Sequence, residues 1–127
     1  MSRTIIRSAC GALALLTASA ATFAIPPAVH VRCDTYGQRS RASVDGRHLP
    51  AGDYTALLTS GANSAQSPAS AAVNAEAQFD FDSKRDEVKQ GATRIARHFI
   101  VDNTVTGSIL DANGNAVATE VRQCIVH

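Results

Sequence analysis

The 127 residues carry 12 Lys and Arg against 11 Asp and Glu, with 45% hydrophobic and 5% aromatic residues and no tryptophan. This length fits one small domain, and the near-neutral balance gives no long-range pull toward nucleic acid or an anionic membrane surface. So few rings argue against the aromatic platforms on which single-stranded nucleic acid stacks.

The chain opens MSRTIIRSACGALALLTASAATFA. Arg3 and Arg7 make a positive start, an uncharged apolar run extends from Ala9 to about Ala21, and the small residues Thr22 and Ala24 precede a cut before Ile25. These are the three parts of a secretory signal. The run is shorter than the roughly 20 apolar residues that span a bilayer, which disfavours the competing reading of an N-terminal anchor. Ala18-Ser19-Ala20 offers an earlier cut. There is no twin-arginine pair, and too little apolar chain precedes Cys10 for lipid attachment there. The expected organisation is a signal peptide over 1–24 and a single β-rich domain over 25–127, with no membrane-integral segment after cleavage.

Removing the leader takes Arg3, Arg7 and Cys10, which leaves 10 cationic against 11 acidic side chains and two cysteines, Cys33 and Cys124. A pair of cysteines in an exported chain predicts a disulfide, here tying the first strand to the last. On a regular last strand Cys124 shares a face with Glu120 and Arg122. The bond is therefore expected at the rim of the core, or after a bulge that turns the strand.

Val29 to Cys33 alternates apolar and polar residues, the period of a half-buried strand. Arg41 to Asp45 predicts a second strand with Ala42 and Val44 inward. His48 to Asp53 carries Pro50 and Gly52 and predicts a turn, and Tyr54 to Thr59 a third strand. Ser60 to Asn74 is small and polar, a long loop or weak edge strand. Ala75 to Asp82 is the clearest strand: Ala75, Ala77, Phe79 and Phe81 share a core face, and Glu76, Gln78, Asp80 and Asp82 a wet one. Over Ser83 to Phe99 two periods compete. Val88, Ala92, Ile95 and Phe99 fall at helical spacing, with Ser83 and Asp86 resembling a capping box, whereas Ile95, Arg97, Phe99 and Val101 alternate. The favoured resolution is a short helix or turn near Asp86–Gln90, within 84–92, and then a strand near Arg94–Val101. At the end, Thr104–Leu110 and Ala116–Val126 flank Asp111-Ala112-Asn113-Gly114-Asn115, a strong hairpin signal. The fold class is all-β, a small antiparallel sandwich or barrel.

The strings FDFDS (79–83), GATRIARHFI (91–100) and VTGSILDANGN (105–115), followed by a terminal cysteine, resemble small secreted bacterial β-domain proteins. The resemblance covers most of residues 25–127 and implies a compact exported β domain, with no activity or site residues attached. Gly107 to Gly114 also resembles a hairpin of transthyretin-like modules. There the hairpin opens the domain, whereas here it closes it, so that match reflects general hairpin chemistry.

Asp80, Asp82, Asp86 and Glu87 are the densest carboxylates and the candidate calcium ligands. Calcium takes about six to eight oxygens, but Ser83-Lys84-Arg85 interrupts the run, so the plainer reading is a solvated strand edge at 80–87. Asp111, Asn113 and Asn115 are read as turn chemistry. Arg39 and Arg41 share a strand face and are the candidates to hold a carboxylate or phosphate, with Asp45 an equally good internal partner and Arg47 and His48 nearby. His30, His48, His98 and His127 lack zinc spacing. No Gly-x-Ser-x-Gly elbow occurs. No catalytic residue, metal or cofactor is assigned, and the chain is read as a non-enzyme.

The functional expectation is a periplasmic or secreted module that binds a protein partner, an envelope protein, or supports an envelope assembly. Alternatives are a small-ligand or calcium-binding module on the 80–87 edge, and a small hydrolase whose site assembles across the fold. Amino-terminal sequencing of the exported form should begin Ile25-Pro26-Pro27; an intact Met1 in the membrane pellet would establish the anchor instead.

Overall fold

The computed structural model describes residues 25–127, and the signal peptide expected over 1–24 lies outside them. Strand β1 (Ala28–Tyr36) turns at Gly37 into β2 (Arg39–Arg47). The chain then crosses to a second sheet for β3 (Asp53–Ser60), β4 (Asn63–Gln66) and β5 (Ser70–Ala71). It returns for β6 (Ala77–Asp82), the single-turn helix α1 (Arg85–Lys89) and β7 (Thr93–Arg94). β8 (Thr104–Leu110) and β9 (Ala116–Gln123) complete the second sheet, and β10 (Ile125–Val126) joins the first. The strand orders are β10-β1-β2-β6-β7 and β4-β3-β8-β9, with β5 also on β3. The result is an all-β sandwich of two mainly antiparallel sheets; of the two architectures expected, the open sandwich is the one found.

The alternation in the sequence sets the inward faces. Val31, Val44, Phe79 and Phe81 come from one sheet, and Ala56, Leu58, Val105 and Ile109 from the other, all buried. Two glycines let the sheets approach. A Cβ on Gly107 would lie 2.6 Å from Val31 Cγ2, and one on Gly46 2.8 Å from Leu49 Cδ1. The β8–β9 hairpin forms where Asn-Gly predicts it: Asp111 Oδ1 accepts the N–H groups of Asn113 and Asn115, both at 2.9 Å, and Gly114 takes φ +81.

Cys33 and Cys124 form a disulfide, 91 positions apart in sequence. Cys124 falls in the break between β9 and β10, where the chain leaves one sheet for the other. The irregularity expected before Cys124 is therefore a change of sheet. The Ser60–Asn74 segment supplies the weak edge strand β4 and the two-residue β5, in place of a long loop.

Three expectations are corrected. Ala75 is not in a strand: Asn74 and Ala75 take φ +52 and +62, forming a tight turn closed by the Val73–Glu76 bridge, so β6 begins at Ala77. The strand expected over Arg94–Val101 shrinks to Thr93–Arg94. Beyond it the backbone turns, with Phe99 N–H donating to the Ala96 carbonyl, while Ile95 and Phe99 both reach the core. The capping box does not form. Lys84 is the N-cap of α1, with no side-chain cap, and Ser83 Oγ instead accepts the Ser40 N–H at 3.0 Å.

Phe79 is buried in the core while Gln78 beside it is exposed. Phe79→Ala should cost about 3–5 kcal/mol, and Gln78→Ala less than about 0.5 kcal/mol. Urea denaturation of both variants checks the face assignment, which equal effects would refute.

Candidate functional site

The first sheet carries an open cleft of about 730 Å³ at its β6–β7 end. One wall is the β1–β2 turn, through Tyr36, Gln38 and Arg39; the other is the chain from Ser83 to Arg97 that holds α1 and β7. These stretches are far apart in sequence and are stitched at the base. Ser40 N–H donates to Ser83 Oγ and Ser83 N–H to the Ser40 carbonyl, each at 3.0 Å. Ser40 Oγ donates to the Arg97 carbonyl at 2.7 Å. Ile95 N–H donates to the Asp82 carbonyl at 3.1 Å. The frame is thus made of backbone groups and two buried or half-buried serines, which leaves the longer side chains free at the mouth.

Five cationic residues line this cleft: Arg39, Lys84, Arg85, Arg94 and Arg97. They are half of the 10 cationic residues in 25–127. Arg39 is neutralised internally. Its Nε and Nη2 donate to the two oxygens of Asp82 at 2.9 and 2.6 Å, a bidentate fork of the strongest kind. Asp82 is only 2% exposed and also accepts the Lys84 N–H at 2.8 Å. Burial by itself would raise the Asp82 carboxyl; the Arg39 fork and the Lys84 N–H outweigh it and hold the group below the usual carboxylate range. Hydrogen bonding to Asp82 correspondingly pushes the Arg39 guanidinium up. Among the described residues, no carboxylate lies within ion-pair distance of Lys84, Arg85, Arg94 or Arg97. Arg97 donates only to Gln38 Oε1, at 3.4 Å.

The candidate residues part company here. Arg39 is in the cleft, whereas Arg41 is exposed on the outer face of the same sheet, in a smaller concavity with Arg32, Asp34, Asp45 and Asp80. The carboxylates Asp80, Asp82, Asp86 and Glu87 do not converge. Asp80 lies opposite Ser43 on the outer face, Asp82 is locked to Arg39, and Asp86 and Glu87 open the helix. Asp82 is the one whose environment differs from its expected wet face, because the fork with Arg39 and the Lys84 N–H compensate its burial. Among the described residues, no group of three or more His, Cys, Asp or Glu comes together at metal-holding distance. Asp45 is not the partner of Arg39 or Arg41; burial and the nearby Asp80 charge push its carboxyl up.

Lys84, Arg85, Arg94 and Arg97 were not among the sequence candidates. The signal for them is their density, five cations within fourteen residues when Lys89 is counted, and only the fold shows that Arg39 joins four of them. No family model, curated protein or solved structure matches the chain.

Asp82 and Asp45 should respond to acid with opposite signs. The depressed Asp82 group contributes stability above its unfolded pKa of about 3.9 that is lost as pH falls through its lower folded value. Asp82→Asn should therefore cost about 2 kcal/mol at pH 7 and flatten the acid limb. The raised Asp45 group stabilises the fold below about pH 3.9 and loses that contribution as pH rises through its higher folded value, so Asp45→Asn should be neutral or stabilising at pH 7. Melting curves of both variants from pH 2 to 7 provide the check.

Proposed function

We propose that the chain is an exported, non-catalytic binding module that recognises an anionic component of the cell envelope through the basic cleft. The observation that carries this reading is the gathering of Lys84, Arg85, Arg94 and Arg97 without carboxylate partners among the described residues in a chain whose total charge is close to balanced. A cleft lined by one sign of charge focuses its field and raises the local concentration of the opposite ion. Export is supported by the Arg3/Arg7 leader and by the Cys33–Cys124 disulfide, a bond that persists in oxidising compartments. No described helix is long and apolar enough to cross a membrane.

The chemistry of the lining favours binding over turnover. Of its two hydroxyls, on Tyr36 and Ser83, Ser83 Oγ accepts the Ser40 N–H at 3.0 Å, and the lining holds no histidine or carboxylate to act on either as a base.

The test is capture of envelope components on immobilised wild-type domain and on the Arg94→Glu/Arg97→Glu variant, after both show the same melting temperature. Material held by the wild type should be released by salt and be absent from the variant. Undiminished capture by the variant would remove the cleft from the function.

A further inference from the structure

We infer that the group this cleft receives is a phosphate, and specifically a ligand presenting two phosphoryl groups close together. This rests on the reading of the cleft as the binding surface and gives that surface a ligand class. The argument is one of charge density. Four cations without carboxylate partners share a cleft of about 730 Å³ with a fifth, Arg39, whose charge is already matched. A single carboxylate brings one charge and two acceptor oxygens, which satisfies one guanidinium and leaves the others repelling. A phosphoryl group brings roughly −1.5 to −2 charge and three acceptor oxygens. Two such groups supply charge and acceptors for four cations within one site of small-ligand size.

The donors suit that ligand. Three of the four are arginines, whose planar N–H forks match phosphate oxygens, and the fourth is a lysine, which adds a compact point charge. Arg39 has a different role. Its Nε and Nη2 are committed to Asp82, which fixes the guanidinium and leaves Nη1 able to donate. Asp82 is in this sense a positioning residue. The walls cannot drift apart easily, since the Ser40–Ser83 and Ser40–Arg97 hydrogen bonds join them. The walls therefore need no ordering on binding, and the entropy lost is that of the free Lys84, Arg85, Arg94 and Arg97 side chains. The negative side chains of the adjoining helix, Asp86 and Glu87, are outside the lining.

The experiment is isothermal titration of the disulfide-bonded domain at low salt with inorganic pyrophosphate, orthophosphate, citrate and hexaglutamate. Pyrophosphate should bind one to one, about tenfold or more tighter than orthophosphate or citrate, and weaken as salt rises. Arg94→Gln/Arg97→Gln should weaken it by about tenfold or more, the loss of one or two charge-assisted bonds. Arg47→Gln, at the far end of β2 and outside the cleft lining, should leave it unchanged. Pyrophosphate-competed binding to vesicles containing phosphatidic acid would place the phosphates on a lipid headgroup; pyrophosphate binding without vesicle binding would place them on a soluble compound. Citrate or hexaglutamate binding as tightly as pyrophosphate would overturn the phosphate assignment and leave the anion-binding cleft standing. Pyrophosphate binding equally to wild type and to the Arg94/Arg97 variant would overturn the assignment to this cleft. Failure of every anion to bind, together with undiminished capture of envelope material by the variant, would overturn the cleft as a binding surface altogether.

Discussion

The crossing at Cys124 is the constraint on which the sandwich depends. β9 belongs to one sheet and β10 to the other, and the chain passes between them at the residue bonded to Cys33 on β1. The crossing is held twice more. Cys124 N–H donates to the Asn103 carbonyl at 2.7 Å, and Arg122 Nε donates to the Val31 carbonyl at 3.1 Å. A cross-link closing a loop of this length restricts the unfolded chain by about 4–5 kcal/mol in the chain-entropy model, a large share of the roughly 5–15 kcal/mol by which a domain is stable. The core has need of it. Apart from Phe79, Phe81, Phe99 and Tyr54, its buried residues are aliphatic or small, so each contributes a modest area of apolar burial.

Small residues also decide how the sheets meet. Gly46 and Gly107 face side chains of the opposite sheet or its connecting loop so closely that a methyl group would collide. Where glycine lets backbones approach, the aliphatic side chains of β1, β2 and β8 fill the remaining gap. The phenylalanine rings collect toward β6 and the chain after it, where Phe79, Phe81 and Phe99 are buried together with Ile95. That concentration anchors an otherwise irregular segment. With Ile95 inward and β7 paired to β6, Arg94 and Arg97 are carried to the cleft wall.

Much of this was legible in the sequence, for reasons that can be named. Period-two alternation located β1, β2, β3 and the inward face of β6, because one side of each sheet is wet. Asn113-Gly114 located the last hairpin, because few other residues take the backbone angles it needs. Cysteine count located the disulfide. What failed to show were features that depend on contacts across long separations. Alternation places Asp82 on the wet face, and nothing near it in sequence announces that Arg39, 43 positions away, will close over it. Arg94 to Val101 alternates like a strand, but its partner strand offers only two residues of pairing, at Phe81 and Asp82. The cleft itself required both facts, since the Ser40–Ser83 stitch and the Arg39–Asp82 fork bring the two walls together.

The outer face of the first sheet shows what the cleft is by contrast. Along β1, β2 and β6, cross-strand pairs set Asp34 opposite Arg41 and place Arg32, Ser43 and Asp80 in one row. Positive and negative side chains alternate there, and Asp34 also meets the Nε2 of His127 at 2.9 Å. Charges so mixed compensate one another at short range and extend little field into solvent. A few residues away, at the end of the same sheet, one carboxylate is buried beneath one arginine and four further cations stand without a carboxylate partner among the described residues. That arrangement adds nothing to folding stability, since like charges brought together repel, and its cost is small because the four side chains are exposed to solvent. Water and counterions screen those exposed charges in the free domain; the anionic ligand proposed for the cleft would replace that diffuse screening with acceptor oxygens held in place.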